Sequence, residues 1–236
     1  MNRKDLFLAT AAGAVAFSRP NSAEAAVDNR GNALKPPAHG PVNVALVMGP
    51  NLVTIDLFGP ATVFGDANFD GTKMVKRFNL YTVSASTKPL AIDFGKMQAN
   101  YAFDNAPQPQ VLVIPMQDSL QATIAYVKRA SVGADVTMSV CTGAFLAARA
   151  GLFTGGRATT HHDAYDAFAK EFPKVQLVKD LRYVEDPKVS SSGGESCGID
   201  LALRVVERYY GPESARITAY NMEYRRSARP SSLNEV

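Results

Sequence analysis

Apolar and polar positions along this chain fall into short blocks whose period switches back and forth. The first strong block is Asn43-Val44-Ala45-Leu46-Val47-Met48, an apolar run that stops at Gly49-Pro50. A run this short and this uniformly apolar suits a strand buried on both faces, as in a parallel sheet. Phe78–Ser84, Val111–Pro115, Asp135–Val140 and Lys188–Ser191 read as further strands. Helical patterns lie between and after them, over Ser119–Arg129, Thr142–Ala150, Asp163–Phe172, Gly198–Tyr209 and Pro212–Tyr224. Leu120, Ile124 and Val127 recur at i, i+4, i+7, as do Ile199, Leu203 and Val206, which gives both helices a core-facing stripe. Phe58-Gly59-Pro60 precedes Ala61-Thr62-Val63-Phe64, and Pro60 suits the first turn of a helix there. Strands alternating with helices predict an α/β chain with a doubly wound, mostly parallel sheet flanked by helices. In such sheets ligands sit outside the carboxyl ends of the strands, so the residues after each strand are the place to look for chemistry.

The ends of the chain read differently. Arg3-Lys4, an apolar stretch from Leu6 to Phe17, and Ala23-Glu24-Ala25 follow the order of a secretory signal peptide over residues 1–26. Arg3-Lys4-Asp5-Leu6-Phe7-Leu8 also looks like a twin-arginine signal with Lys for the second Arg. The apolar stretch is roughly a dozen residues, against the about 20 that a bilayer span needs. The alternative is an amphipathic start that is never cleaved. Residues 27–41, polar and rich in Pro and Gly, read as a linker, residues 42–226 as one domain, and 227–236 as a polar tail. These features predict a periplasmic or secreted protein, off the membrane once the leader is removed; if the leader reading fails, the protein is cytoplasmic.

At 236 residues, with 46% hydrophobic and 20% charged residues, the chain has the core-forming capacity of one α/β domain. A net charge of +3 without a Lys/Arg block makes no case for nucleic acid. Two cysteines, Cys141 and Cys197, would permit a disulfide in an oxidising compartment, but the context of Cys141 suggests another use.

That context is Asp135-Val136-Thr137-Met138-Ser139-Val140 running straight into Cys141-Thr142-Gly143-Ala144-Phe145-Leu146. A β-type run turns abruptly into a helix, with Cys at the turn and Gly two residues on, like a nucleophile elbow with Cys in place of Ser. A thiol at a helix N-terminus faces unpaired N–H groups and the positive end of the dipole, which lowers its pKa. Gly143 lets the backbone approach closely, and the turn amides can hold a developing oxyanion. The competing account is a small buried hydrophobe, the common fate of a free Cys.

Ser139-Val140-Cys141-Thr142-Gly143-Ala144-Phe145, Ala150-Gly151-Leu152 and Gly156-Arg157-Ala158-Thr159-Thr160-His161 together resemble the ThiJ/PfpI superfamily. Asp56-Leu57-Phe58-Gly59-Pro60-Ala61 is similar to the start of its first helix, and Gly193-Gly194-Glu195-Ser196-Cys197-Gly198-Ile199-Asp200 to its last turn and helix. The resemblance runs from about Val42 to Tyr224. It implies the flavodoxin-like, class I glutamine amidotransferase-like fold, and lies nearest to isonitrile hydratases and the amino-terminal domains of AraC-type regulators. It further implies a small-molecule substrate, no cofactor, no metal, and a homodimer.

On the same resemblance Asp56 is the acid/base beside Cys141, and Thr142 binds a substrate atom. Each has a plainer alternative, since Asp56 can cap a helix near Gly59-Pro60 and Thr142 can satisfy its own helix start. His161 matches a position that superfamily proteases and amidotransferases use to activate the cysteine, and it is otherwise structural. Because adjacent residues on a strand point to opposite faces, a His161-His162 metal chelate is not expected. Cys197 reads as core filler, or as a resolving thiol for Cys141. Gly143, Met116 and Gly49 are expected to border the substrate. The chain departs from the superfamily after Val111–Pro115, where Met116-Gln117-Asp118 replaces the usual Gly-Gly and would reshape an oxyanion site. Three readings stay open: an isonitrile hydratase-like lyase, a non-catalytic ligand-binding or thiol-sensing domain, and a Cys/His amidase or peptidase.

Overall fold

The computed structural model describes residues 32–92 and 94–225, so the leader over 1–26 and the tail 227–236 lie outside the described residues. In chain order the main elements are β1 (Val42–Val47), α1 (Thr54–Asp66), β2 (Phe78–Ser84), β3 (Tyr101–Ala102), β4 (Val111–Ile114), α2 (Gln121–Val132), β5 (Val136–Val140), α3 (Gly143–Arg149), α4 (Tyr165–Glu171), β6 (Tyr183–Glu185), β7 (Val189–Ser192) and α5 (Cys197–Asn221). Val44 and Leu46 of β1, with Val113 of β4, pack into one apolar cluster shared with α1 and α5. Ala45, Val47, Leu112 and Ile114 point the other way, into a second cluster with α2, α3 and α4. Alternate residues of one strand thus serve two cores, which is why the strands read as unbroken apolar runs.

The seven strands lie in the order β6-β7-β5-β4-β1-β2-β3. All neighbours are parallel except the edge strand β6, which runs antiparallel to β7. The chain leaves β1 for β2 and β3 on one side, then returns past β1 to β4 and β5. This reversal opens a crevice at the carboxyl ends of β1 and β4, where doubly wound sheets bind ligands. The flavodoxin-like α/β fold is therefore present as expected.

Several boundaries moved, each for a local reason. α1 begins at Thr54, so Pro60 lies inside the helix rather than in its first turn. Pro has no N–H to give the carbonyl four residues back, so the Asp56 carbonyl loses its helical donor. Leu120 precedes α2 and is exposed, while Thr123, Tyr126, Val127 and Ala130 form the buried face. The helix expected from Asp163 starts as a 3-10 turn over His162–Ala164. The two C-terminal helices are one kinked element, broken at Gly211 with φ of 83°. Three two-stranded ribbons, Phe69–Asp70 with Lys73–Met74, Leu90–Ile92 with Gly95–Met97, and Arg157–Ala158 with Gln176–Leu177, are too short to leave a pattern in the sequence.

Within the stretch read as linker, Leu34 N–H donates to Arg208 O at 2.7 Å and packs on the core. Arg208 Nε donates in turn to Asn32 O at 3.1 Å, and Arg208 Nη2 to Pro187 O at 2.9 Å, just ahead of β7. Residues 32–34 are thus strapped onto α5 at the amino ends of the strands. Nearby, Glu185 on the edge strand is fully buried and met by Arg204 at 2.8 Å and Arg208 at 3.7 Å.

Candidate active site

Three strand ends bring three groups together: Asp56 from the first turn of α1, the Met116 backbone just past β4, and Cys141 at the end of β5. Cys141 adopts φ of 58°, the left-handed region that a non-glycine residue occupies only at a cost of order 1 kcal/mol or more. Two contacts hold it there. Its N–H donates to Gly193 O at 3.1 Å, and its carbonyl accepts the Thr160 hydroxyl at 3.0 Å. Two glycines make the turn possible. A Cβ on Gly143 would sit 2.2 Å from Ile114 O, so only glycine lets α3 start over the end of β4. A Cβ on Gly194 would lie 2.1 Å from His161 Cδ2 and 3.1 Å from Cys141 Sγ, so this residue keeps the space between ring and thiol.

Asp56 is fully buried. Its Oδ2 accepts the Met116 N–H at 3.1 Å, whereas Oδ1 has no hydrogen-bond partner of good geometry. Burial pushes this carboxyl up to about 7. The Met116 N–H pulls against that rise, the charge of Glu195 adds to it, and the weak S–H donor of Cys141 pulls back again. The thiol, on a residue 7% exposed, goes up as well. Burial first, then the Asp56 charge, push Cys141 up to about 12, while the Thr142 N–H and hydroxyl pull it down. A helix N-terminus by itself would depress the thiol; here desolvation and a neighbouring carboxylate outweigh the seven-residue helix α3. The two acids are best treated as a pair that yields one proton near neutrality and the second only in strong base.

The other expected residues take different positions relative to this pair. Thr142 is the N-cap of α3 yet makes no side-chain capping bond, which leaves its hydroxyl for the sulfur. Met116 acts through its backbone, with its N–H on Asp56 and its carbonyl accepting Val53 N–H at 3.1 Å. Gly49 borders Gln117 rather than open crevice: a Cβ there would meet Gln117 Oε1 at 2.4 Å. Gln117 Nε2 donates to Val47 O at 3.2 Å, so the residue replacing the second family glycine fills the space beside β1 with its own amide. On the open side of Thr142, Gln117, Asp118, Ser119, Phe145, Arg149 and Ala164 line a cleft of about 270 Å³.

His161 lies beside the thiol with its ring carbon Cδ2 toward Gly194. Its Nδ1 accepts the Asp163 N–H at 3.3 Å, which places the proton of the neutral ring on Nε2 and makes it a donor there, not a base. The opposite-faces argument for His161 and His162 fails. The strand ends at Ala158, the chain turns, and the two rings stack 4.3 Å apart at 28°. Cys141 and Cys197 are both free thiols, and Cys197, buried at the start of α5, is raised by desolvation. Sequence reasoning did not assign Gly194 or Glu195 to the site, and it marked Gln117 only as part of the stretch that replaces the superfamily's Gly-Gly. The Gly193-Gly194 doublet after a strand was the available signal for the first; Glu195 is placed only by tertiary packing.

No family model matches the chain. An isonitrile hydratase from Pseudomonas putida is 27% identical over 191 residues, covering 78% of each chain. A ThiJ/PfpI family protein from Pseudomonas syringae superposes with a TM-score of 0.70 at 25% identity, over 82% of this chain and 79% of that one. The chain belongs to the ThiJ/PfpI superfamily. Regulators are among its relatives too: the HTH-type transcriptional regulator CdhR of Pseudomonas aeruginosa is 30% identical over 101 residues, which are 43% of this chain and 30% of the regulator. Membership in the superfamily agrees with the strand–Cys–helix junction and with the carboxyl beside it.

Proposed function

We propose that this ThiJ/PfpI protein is a cysteine-dependent isonitrile hydratase-like enzyme acting on a small molecule. The observation that carries this reading is the buried Asp56 carboxyl, pinned by Met116 N–H and poised near neutrality beside Cys141. The singly protonated pair passes its proton from sulfur to carboxyl as the thiolate attacks, so no resting thiolate is required. The sulfur bonds to the isonitrile carbon, and Asp56 delivers its proton to that same carbon, giving a thioimidate. Water then adds to the carbon as Asp56 accepts one of its protons. The nitrogen takes the other, the C–S bond breaks, and an N-formamide leaves with the shared proton restored to the pair. Thr142 hydroxyl and N–H steady the sulfur throughout. The relationship to an isonitrile hydratase supports the substrate class.

A panel of small isonitriles, amides and methylglyoxal, offered to wild type, Cys141→Ala and Asp56→Asn, tests this. Turnover of isonitriles by wild type alone is expected. Turnover that survives Cys141→Ala would overturn the mechanism.

The thiol raised to about 12 favours one competing reading, a ligand-binding or thiol-sensing protein without turnover. On that reading no member of the panel is consumed, while a ligand still binds. The Cys/His amidase reading is the weaker, because the His161 Nδ1 lone pair is already engaged by Asp163 N–H.

A further inference from the structure

We propose that His161, His162 and Asp163 form a binding site for a divalent transition metal of the zinc class, on the rim of the thiol crevice. Their ligand atoms all lie within 4.8 Å of one another. The Asp163 carboxylate bridges the set, 3.2 Å from His162 Nε2 and 3.9 Å from His161 Nδ1. Two imidazoles and one carboxylate are a ligand set that borderline dications accept; ligands near 2.0–2.1 Å from a tetrahedral metal lie about 3.3 Å from one another, so the His162–Asp163 contact already has that spacing and the wider ones close to it by side-chain rotation.

The turn chemistry explains why three consecutive residues can converge. His161 is the N-cap of the 3-10 turn, extended at φ −57° and ψ 139°, and the tight turn that follows swings His162 back over its ring. One ligand is held in advance: His161 is wedged against Gly194, and the chain leading to it is tied down at Thr160 by a hydroxyl bond to Cys141 O. The other two are free to adjust, since the His162 and Asp163 side chains are 60% and 80% exposed. Binding exchanges only the 3.3 Å contact from Asp163 N–H to His161 Nδ1 for a metal–nitrogen bond. With three protein ligands on an exposed rim, at least one coordination position faces solvent. This site is independent of the proposed hydratase reaction, which uses no metal.

Zn²⁺ alone, titrated calorimetrically into the full chain after chelator treatment, tests the proposal. One equivalent should bind to wild type. His162→Ala and Asp163→Ala should each weaken binding by at least about tenfold, while Cys141→Ser should leave it within about twofold. Co²⁺ in the same site should show ligand-field absorption without a thiolate charge-transfer band. Absence of saturable binding, wild-type affinity in either rim variant, or loss of binding in Cys141→Ser would each overturn the proposal.

Discussion

Replacing one carboxyl oxygen of Asp56 moves two properties of the site in opposite directions. Asp56→Asn removes the charge that helps hold the Cys141 thiol high. Iodoacetamide should therefore modify Cys141 faster at pH 8 in the variant, by about tenfold for each unit the thiol falls, while isonitrile turnover collapses for want of a proton carrier. A variant that alkylates no faster would show that the carboxylate does not control the sulfur. Stability should follow the same group. Asp56 binds its proton up to about pH 7 when folded, against an ordinary value of 3.8. Its folded pKa is raised, so its contribution is fully present below the unfolded value and is lost as pH climbs from about 4 to 7. Asp56→Asn, which stays neutral, should then be more stable than wild type at pH 8 by on the order of 2–4 kcal/mol, seen as a higher Tm, and the gain should vanish near pH 4. Cys141, Asp56 and Thr142 could be picked from the sequence because the strand–Cys–helix junction and the superfamily pattern mark them. The direction of the thiol's shift could not, because desolvation depends on what Gly194, Met116 and α5 place around it.

Among the elements, the start of α3 carries the tightest constraint. Gly143→Ala would drive a methyl into the backbone of β4, where no side-chain rotation relieves it. A loss of about 3 kcal/mol or more is expected from the urea midpoint, with activity falling alongside; an unchanged midpoint would mean that α3 can back away from β4. At the far edge, Glu185→Ala would leave Arg204 and Arg208 facing a buried position without its carboxylate, a loss of about 3–5 kcal/mol. The strands β1, β2, β4 and β5 were legible because burial on both faces writes mostly apolar runs, whereas β7, Val189 followed by three serines, shows only as a short stretch ahead of the Gly193-Gly194 turn. β6 was not, since Tyr183–Glu185 buries a charge, and a three-residue strand with a buried Glu looks like loop. α1 was misplaced at its start because Pro60 reads as a first-turn residue, whereas the helix tolerates it two turns in.

At the scale of the whole molecule, we propose export and homodimerisation. Export follows from the leader pattern over 1–26; fractionating expressing cells should recover a shortened chain outside the cytoplasm, and a full-length cytoplasmic chain would refute it. The proposed dimer seats on α1, where Ile55 and Phe58 are 40% and 42% exposed. Sedimentation should give about twice the 25.3 kDa of one chain, and Phe58→Glu should return it to monomer. The strap at Asn32 and Leu34 has a practical corollary. It fixes the head of the domain at the pole opposite the thiol, whereas the Tyr224 hydroxyl, donating to Asp200 at 3.0 Å, holds the chain after α5 at the pole of Ser196 and Cys197. A molecule coupled to a resin at the strapped segment would hold its reactive mouth outward, and one coupled beside Tyr224 would press that mouth toward the support.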